Sequence, residues 1–385
     1  MDDRTGHTAR LRLGMAVVGG LALMAAACGS SSSSSSASSA ASANSLGTGT
    51  CGSQGGTGPW GWTGTAATGF QPSHEPDVNC DGKVVIGILS PGDTNDHGYY
   101  ESFVDTAKLY ATKNGWQVIT INKINPADAV NQARNLCRQH VDMVAVAASE
   151  LKDAIPVSQE AVCQNTVWYV AGGQGVVQTP YFVQSQDDVN ESLYAAGYAS
   201  GLIMQANGST KAGFITGPEL DFAKQAAKAY TKGIQNVIPT ATVLTAYTGS
   251  FDDSGLAVTA ANAQIAQGVG IIYPYLGGAT DAVAALGDQH NIPELTPGTN
   301  RCGGGTPAYA VSVIFSPGDY FAAALAPFAK GTLTIGTAHV WHMGKDPVPT
   351  VIICSPTGTQ KQMVDALIQQ IGSGAVKPDQ IVNGS

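Results

Sequence analysis

Six stretches of this chain concentrate residue types that grip a small polar molecule: LSPGDTNDHGYY (89–100), VAGGQG (170–175), FVQSQDD (182–188), ITGPELDF (215–222), YLGGATD (275–281) and TPGTNRC (296–302). Rings stack on a flat solute, carboxylates and amides read its hydrogen-bonding edge, and glycine lets backbone come close. Within them Asp96 either accepts N–H groups from a ligand or caps the following helix. Of Tyr99 and Tyr100, one is expected to stack on a ring and the other to pack. Trp168 suits core and cleft equally. Asp187 and Asp188 either face a ligand or cap the helix after them. Phe222 would close the far side of a ring, and Gly277 and Gly278 would admit backbone contact. Asp281 is either a ligand acceptor or an ordinary helix-start acid. Asn300 and Arg301 flank a chain crossing, with Arg301 binding an anionic or carbonyl group or pairing with an Asp.

This inventory serves binding, not turnover. No GxSxG or HExxH occurs, and His97 lies in a loop without a nucleophile beside it. His339 and His342 fall on a predicted strand, where a spacing of three puts them on opposite faces. The glycine-rich turns lack the lysine of a phosphate loop. No catalytic residue, metal or cofactor is expected.

The elements that position these stretches alternate. KVVIGILS (83–90) is a continuous apolar run, the mark of a strand buried on both faces. A helix is predicted over 99–114, then a strand at 117–123, a helix over 126–140, a strand at 141–149, a helix over 152–164 and a strand at 166–173. A second series follows: helix 188–206, strand 211–217, helix 221–237, strand 241–249, helix 254–267 and strand 270–278. Such units imply an α/β fold with parallel sheets, and two series of similar size imply two Rossmann-like lobes. The six stretches then fall at strand carboxyl ends, where open parallel sheets hold ligands. The expected first lobe is 82–187 plus about 297–327, and the second 188–296 plus about 328–385.

The chain has 19 Lys+Arg against 28 Asp+Glu, a net charge of −9, and no basic cluster after Arg12, which argues against nucleic acid. Residues 1–27 read as a signal peptide: Arg4, Arg10 and Arg12 precede a short apolar run that ends in small residues before Cys28. Ala25-Ala26-Ala27-Cys28 resembles a bacterial lipobox, which implies cleavage before Cys28 and its lipidation; the alternative is ordinary cleavage near Ala27. Residues 28–46 form a serine-rich tether without an apolar face, and 47–81, with Trp60 and Trp62, a Gly-rich lead-in. Anchoring to the membrane through Cys28, without a spanning helix, is the expectation.

Six further cysteines outside the cytoplasm suggest disulfides, and sequence permits 15 pairings. Cys137 and Cys163 lie on successive predicted helices beside one sheet and are expected to pair. Cys51 and Cys80 bracket the Gly-rich segment, and Cys302 with Cys354 follows by elimination.

Residues 193–302 resemble the basic membrane protein family of solute-binding lipoproteins, which serve ABC importers. SLYAAGYASGLI (192–203), KAGFITG (211–217), AYTKGIQNVIPTATVLTAYTGSFDD (229–253) and YLGGATDAV (275–283) carry the likeness, and KVVIGILSPGDTNDHGYYESF extends it into the first half. The resemblance implies a type I periplasmic-binding-protein fold, two lobes joined by hinge crossings and closing on a ligand, mostly a nucleoside or purine base. It implies an ABC permease as partner and a single copy as the working form. Three places depart from the family pattern. The family's Asp-x-Ser-Phe-Asn reads Asp96-His97-Gly98-Tyr99-Tyr100, an acid at a strand end is Gly172, and hinge acids are replaced by Gly298-Thr299-Asn300-Arg301. Acids there would hold ribose hydroxyls, so the departures favour a free base or another flat polar solute. The rival readings are a sensor that reports the same ligand to a membrane partner, and an extracytoplasmic enzyme on the same scaffold.

Overall fold

The computed structural model describes residues 76–384 other than 80, 164 and 174. The expectations for the signal peptide, Cys28, the tether, most of the lead-in and the Cys51–Cys80 bridge lie outside these residues.

The first sheet begins with β1 (Val85–Leu89), whose five residues are all buried. It continues through α1 (Tyr99–Asn114), β2 (Gln117–Ile121), α2 (Ala129–Arg138), β3 (Met143–Val146), β4 (Val167–Ala171) and β5 (Val183–Asp187). Between β3 and β4 the helix predicted over 152–164 is instead a run of 3-10 turns, Ser149–Gln159 and Ala161–Cys163. Pro156 sits inside it and supplies no N–H, so an α-helical ladder cannot close there. The Cys137–Cys163 disulfide ties this run to the end of α2.

The chain then crosses to α3 (Val189–Asn207), β6 (Lys211–Thr216), α4 (Asp221–Val237), β7 (Thr242–Tyr247), α5 (Ser254–Ala266), β8 (Ile272–Tyr275), α6 (Thr280–His290), β9 (Leu295–Gly298) and β10 (Val311–Ile314). It returns as α7 (Pro317–Phe328) and β11 (Ala338–Trp341), and crosses again to β12 (Thr350–Ile353), α8 (Gln360–Gly372) and α9 (Pro378–Asn383).

Six strands form the first sheet in the order β11-β5-β4-β3-β1-β2, every pair parallel. The second lobe holds β7-β6-β8 and β12-β10-β9, joined by a parallel bridge between Ile272 and Glu294. Here β12 runs antiparallel to β10, so this sheet is parallel except at one edge. The lobe boundaries differ from those expected. Strands β9 and β10 share the core of α3 and α4, so the chain re-enters the first lobe at α7 rather than near 297. It stays there through β11, beyond the expected 327, because β11 pairs with β5. Apolar packing decides this: Phe321 of α7 stacks on Phe103 of α1 with centroids 4.3 Å apart, and Phe328 joins the same core. A second disulfide, Cys302–Cys354, pins the loop after β9 to the end of β12.

Helices α3 and α4 approach backbone to backbone. A Cβ on Gly197 would stand 2.1 Å from the Tyr230 carbonyl, and one on Gly233 would stand 2.0 Å from that of Tyr194. The glycines in SLYAAGYASGLI therefore let α3 close on α4. Among the described residues no helix is long and apolar enough to cross a membrane.

Candidate functional site

A cavity of about 490 Å³ opens between the carboxyl ends of the two sheets. Tyr99 and Tyr100 enter it from the first turn of α1. Asp96 sets that turn: its carboxylate accepts the backbone N–H of Gly98, Tyr100 and Glu101, each at 3.0 Å. Both oxygens are thereby used, so Asp96 orients the tyrosines and is not itself in the cavity wall. Burial raises its pKa, and the three N–H donors oppose the rise.

The second lobe contributes ring faces. Phe222 opens α4 and lies nearly parallel to Phe251, with centroids 6.1 Å apart and planes at 15°. Phe251 fits because Gly217 has no side chain; a Cβ there would meet the ring at 2.7 Å. Its own carbonyl accepts the N–H of Gly277 at 3.1 Å and of Ala279 at 3.2 Å, which clasps the two strand-end loops together. Tyr275 and Phe315 continue the wall at 6.0 Å, and Phe315 reaches Tyr99 at 6.2 Å.

The polar groups are mainly carboxylates and amides. Asp187, at the end of β5, accepts a bond from Ser192 Oγ at 3.0 Å. Burial pushes its pKa up to about 6, with the Ser192 hydroxyl opposing and the Glu191 charge adding to the rise. Glu150, just after β3, is also pushed up by burial, against a hydroxyl bond from Tyr100. At one side Gln225 Nε2 bridges Asn190 Oδ1 at 2.8 Å and Asn383 Oδ1 at 2.9 Å. A second chamber of about 470 Å³ shares Tyr100, Glu150, Phe222 and Phe251 with the first and extends past Lys152, Asp221 and Asp252.

Of the residues singled out in the sequence, Tyr99, Tyr100, Asp187, Phe222 and Gly277 line the cavity. The others lie elsewhere. Trp168 is fully buried in the first lobe's core. Asp188 caps α3, accepting N–H from Asn190 at 2.9 Å and Glu191 at 3.2 Å. Gly278 donates its N–H to Asp252 Oδ1 at 2.8 Å instead of presenting it to a solute. Asp281 and Arg301 form a two-pronged ion pair with Tyr309 beside it, the guanidinium lying 4.7 Å over the Tyr309 ring. Burial would raise Asp281, but Arg301 and Tyr309 together hold it below its ordinary value. Asn300 is exposed and accepts the N–H of Cys302 at 3.1 Å. Sequence reasoning did not single out Glu150, Gln186, Phe251, Tyr275 and Phe315. All follow or end strands, so the strand-end rule reaches them when applied to every strand.

Asp188, Glu191 and His342 bring possible metal-ligand atoms within 4.8 Å of one another at the hinge. They are already engaged: Glu191 takes the N–H of Met343 at 2.8 Å and lies 3.2 Å from His342 Nδ1. The cluster lies outside the cavity.

The arrangement can sandwich a flat solute between lobes and bond its edge. The profile that matches residues 83–373 is that of Bmp, described as ABC transporter substrate-binding protein PnrA-like. The chain belongs to the Bmp family. This Bmp protein is thus a solute-binding protein of an ABC transporter, which works outside the cytoplasm with a small-molecule solute and a permease; it is not an enzyme. Two solved ABC transporter solute-binding proteins share its fold. The one from Conexibacter woesei has a TM-score of 0.59 at 19% identity, over 76% of this chain and 98% of that one. The one from Aeropyrum pernix has a TM-score of 0.64 at 16% identity, over 76% and 92%. A transcriptional activator of the comK gene from Bacillus halodurans also shares the fold, with a TM-score of 0.56 at 16% identity over 75% and 98%. No curated protein matches the sequence.

Proposed function

We propose that this Bmp protein captures a planar, nitrogen-rich solute of the purine-base class in the interlobe cleft and hands it to its permease as a lipid-anchored monomer. One observation carries the reading: aromatic faces from the second lobe confront the first-lobe carboxylates Glu150 and Asp187 across a cavity of about 490 Å³, with the amides of Asn190, Gln225 and Asn383 on the second lobe's side. A ring held between Phe222, Phe251 and Tyr275 would present its N–H edge to Asp187 and Glu150. Asn300, Arg301 and Gly172 stand where the family pattern has acids, so those places supply no carboxylate for ribose hydroxyls. A free base therefore suits the cleft better than a nucleoside.

Binding needs no chemistry. Three crossings join the lobes, and a solute that touches both walls favours the closed arrangement by its differential affinity. The permease would read that closed surface. Anchoring rests on the sequence Ala25-Ala26-Ala27-Cys28 after an apolar run; a Cys28→Ala variant is expected to leave the membrane fraction. Calorimetry of the full chain against purine bases, nucleosides, sugars and amino acids tests the reading. A purine base is expected to bind one to one, more tightly than its nucleoside. Absence of binding by every class would overturn it.

A further inference from the structure

We infer that the solute carries a net positive charge: Glu150 and Asp187 face an aromatic cavity whose described lining contains no Lys, Arg or His, and together they select an organic cation such as an amidinium or an N-alkylated or protonated heterocycle. The inference rests on the proposed solute-binding role of the cleft and, among planar nitrogen-rich solutes, puts a charged heterocycle ahead of a neutral purine base.

Neither carboxylate has an ion-pair partner among the described residues. The basic groups nearest the strand ends are used elsewhere: Arg301 on Asp281, Lys123 on Asp93 at 2.8 Å, and His342 beside Glu191. Lys152 lies in the outer chamber, where Asp221 and Asp252 outnumber it. Two half-buried negative charges without a counter-charge are costly, and a cation entering between them relieves that cost. The same two charges reach the ring wall. The hydroxyls of Tyr99 and Tyr275 are raised first by burial and then by Asp187 and Glu150. The ring faces favour the same solute, because the negative face of an aromatic ring attracts a cation. An anion would meet two like charges in a desolvated site.

The geometry also divides the work. Glu150 and Asp187 belong to the first lobe, whereas Phe222, Phe251 and Tyr275 belong to the second. A planar cation would bond the first with its edge and stack on the second, so its charge contributes to closure as well as to affinity.

Three molecules of similar shape separate charge from fit: 4-aminoquinaldinium, neutral quinaldine and anionic quinaldate, titrated into the full chain by calorimetry at about pH 7.5. The cation is expected to bind about tenfold or more tightly than quinaldine, and quinaldate not measurably. Asp187→Asn and, separately, Glu150→Gln are each expected to cut the cation's affinity about tenfold while quinaldine stays within about twofold. Retained quinaldine binding shows that a variant is folded. Equal binding of cation and neutral probe, or variants that leave their ratio unchanged, would overturn the inference. If adenine binds while the probes show no charge preference, the charge assignment falls and the solute-binding role stands. If neither adenine nor any probe binds, both fall.

Discussion

Asp187 illustrates how function and stability oppose each other at one residue. Its carboxyl titrates at about 6, above the ordinary range. The folded, unliganded protein therefore holds a proton that the unfolded chain releases at lower pH. This group's contribution to stability is greatest in acid and declines as pH rises through about 6. Asp187→Asn removes the desolvated charge and keeps an oxygen for Ser192. It is expected to raise the unliganded protein's stability at neutral pH by about 1–2 kcal/mol, measured by urea unfolding, while weakening solute binding. Binding has the opposite pH dependence. Asp187 is faced by Ser192 and Glu191 on α3 and by Tyr99, Tyr275 and Tyr320. Below about 6 its proton competes with the donors of the solute. Affinity of the cationic probe should therefore fall several-fold between about pH 7.5 and about pH 5, read by calorimetry. Part of this site is legible in the sequence. Tyr99, Tyr100, Phe222 and Gly277 follow from the rule that strand ends hold ligands. Asp96, Asp188 and Asp281 do not, because a carboxylate at a helix start has backbone N–H groups or a neighbouring arginine as competing partners, and sequence does not tell which captures it.

At the scale of elements, the contact of α3 with α4 rests on glycine. Alanine is the better helix former by roughly 1 kcal/mol, so propensity alone would make Gly233→Ala stabilising. The added Cβ would stand 2.0 Å from the Tyr194 carbonyl and push the helices apart. We expect a net loss of about 2–4 kcal/mol by denaturant unfolding, and a gain would contradict the packing described. Buried parallel strands such as VIGIL announce themselves by unbroken apolar runs, and so β1, β3 and β4 are legible. The segment 149–163 is not, because its apolar spacing suits a helix while Pro156 forces 3-10 turns. The lobe membership of β9, β10 and β11 is not legible either. It depends on whether Phe321 and Phe328 meet Phe103 across more than 200 residues, a non-local fact that no local pattern encodes.

For the whole molecule, two lobes joined by three crossings make closure the natural response to a solute that touches both walls. Saturating solute is expected to shrink the radius of gyration in solution scattering, and a solute that binds without compaction would contradict closure. The fold shared with solute-binding proteins and with a transcriptional activator leaves ligand identity to the cleft residues. The most direct measurement is native mass spectrometry of the full chain as purified, with the bound small molecule released and identified. The expected result is one planar, nitrogen-rich molecule per chain, lost from a Phe222→Ala, Phe251→Ala double variant, and the charge assignment further predicts that this molecule is a cation. An anionic or non-planar molecule, or one retained when those rings are removed, would contradict it.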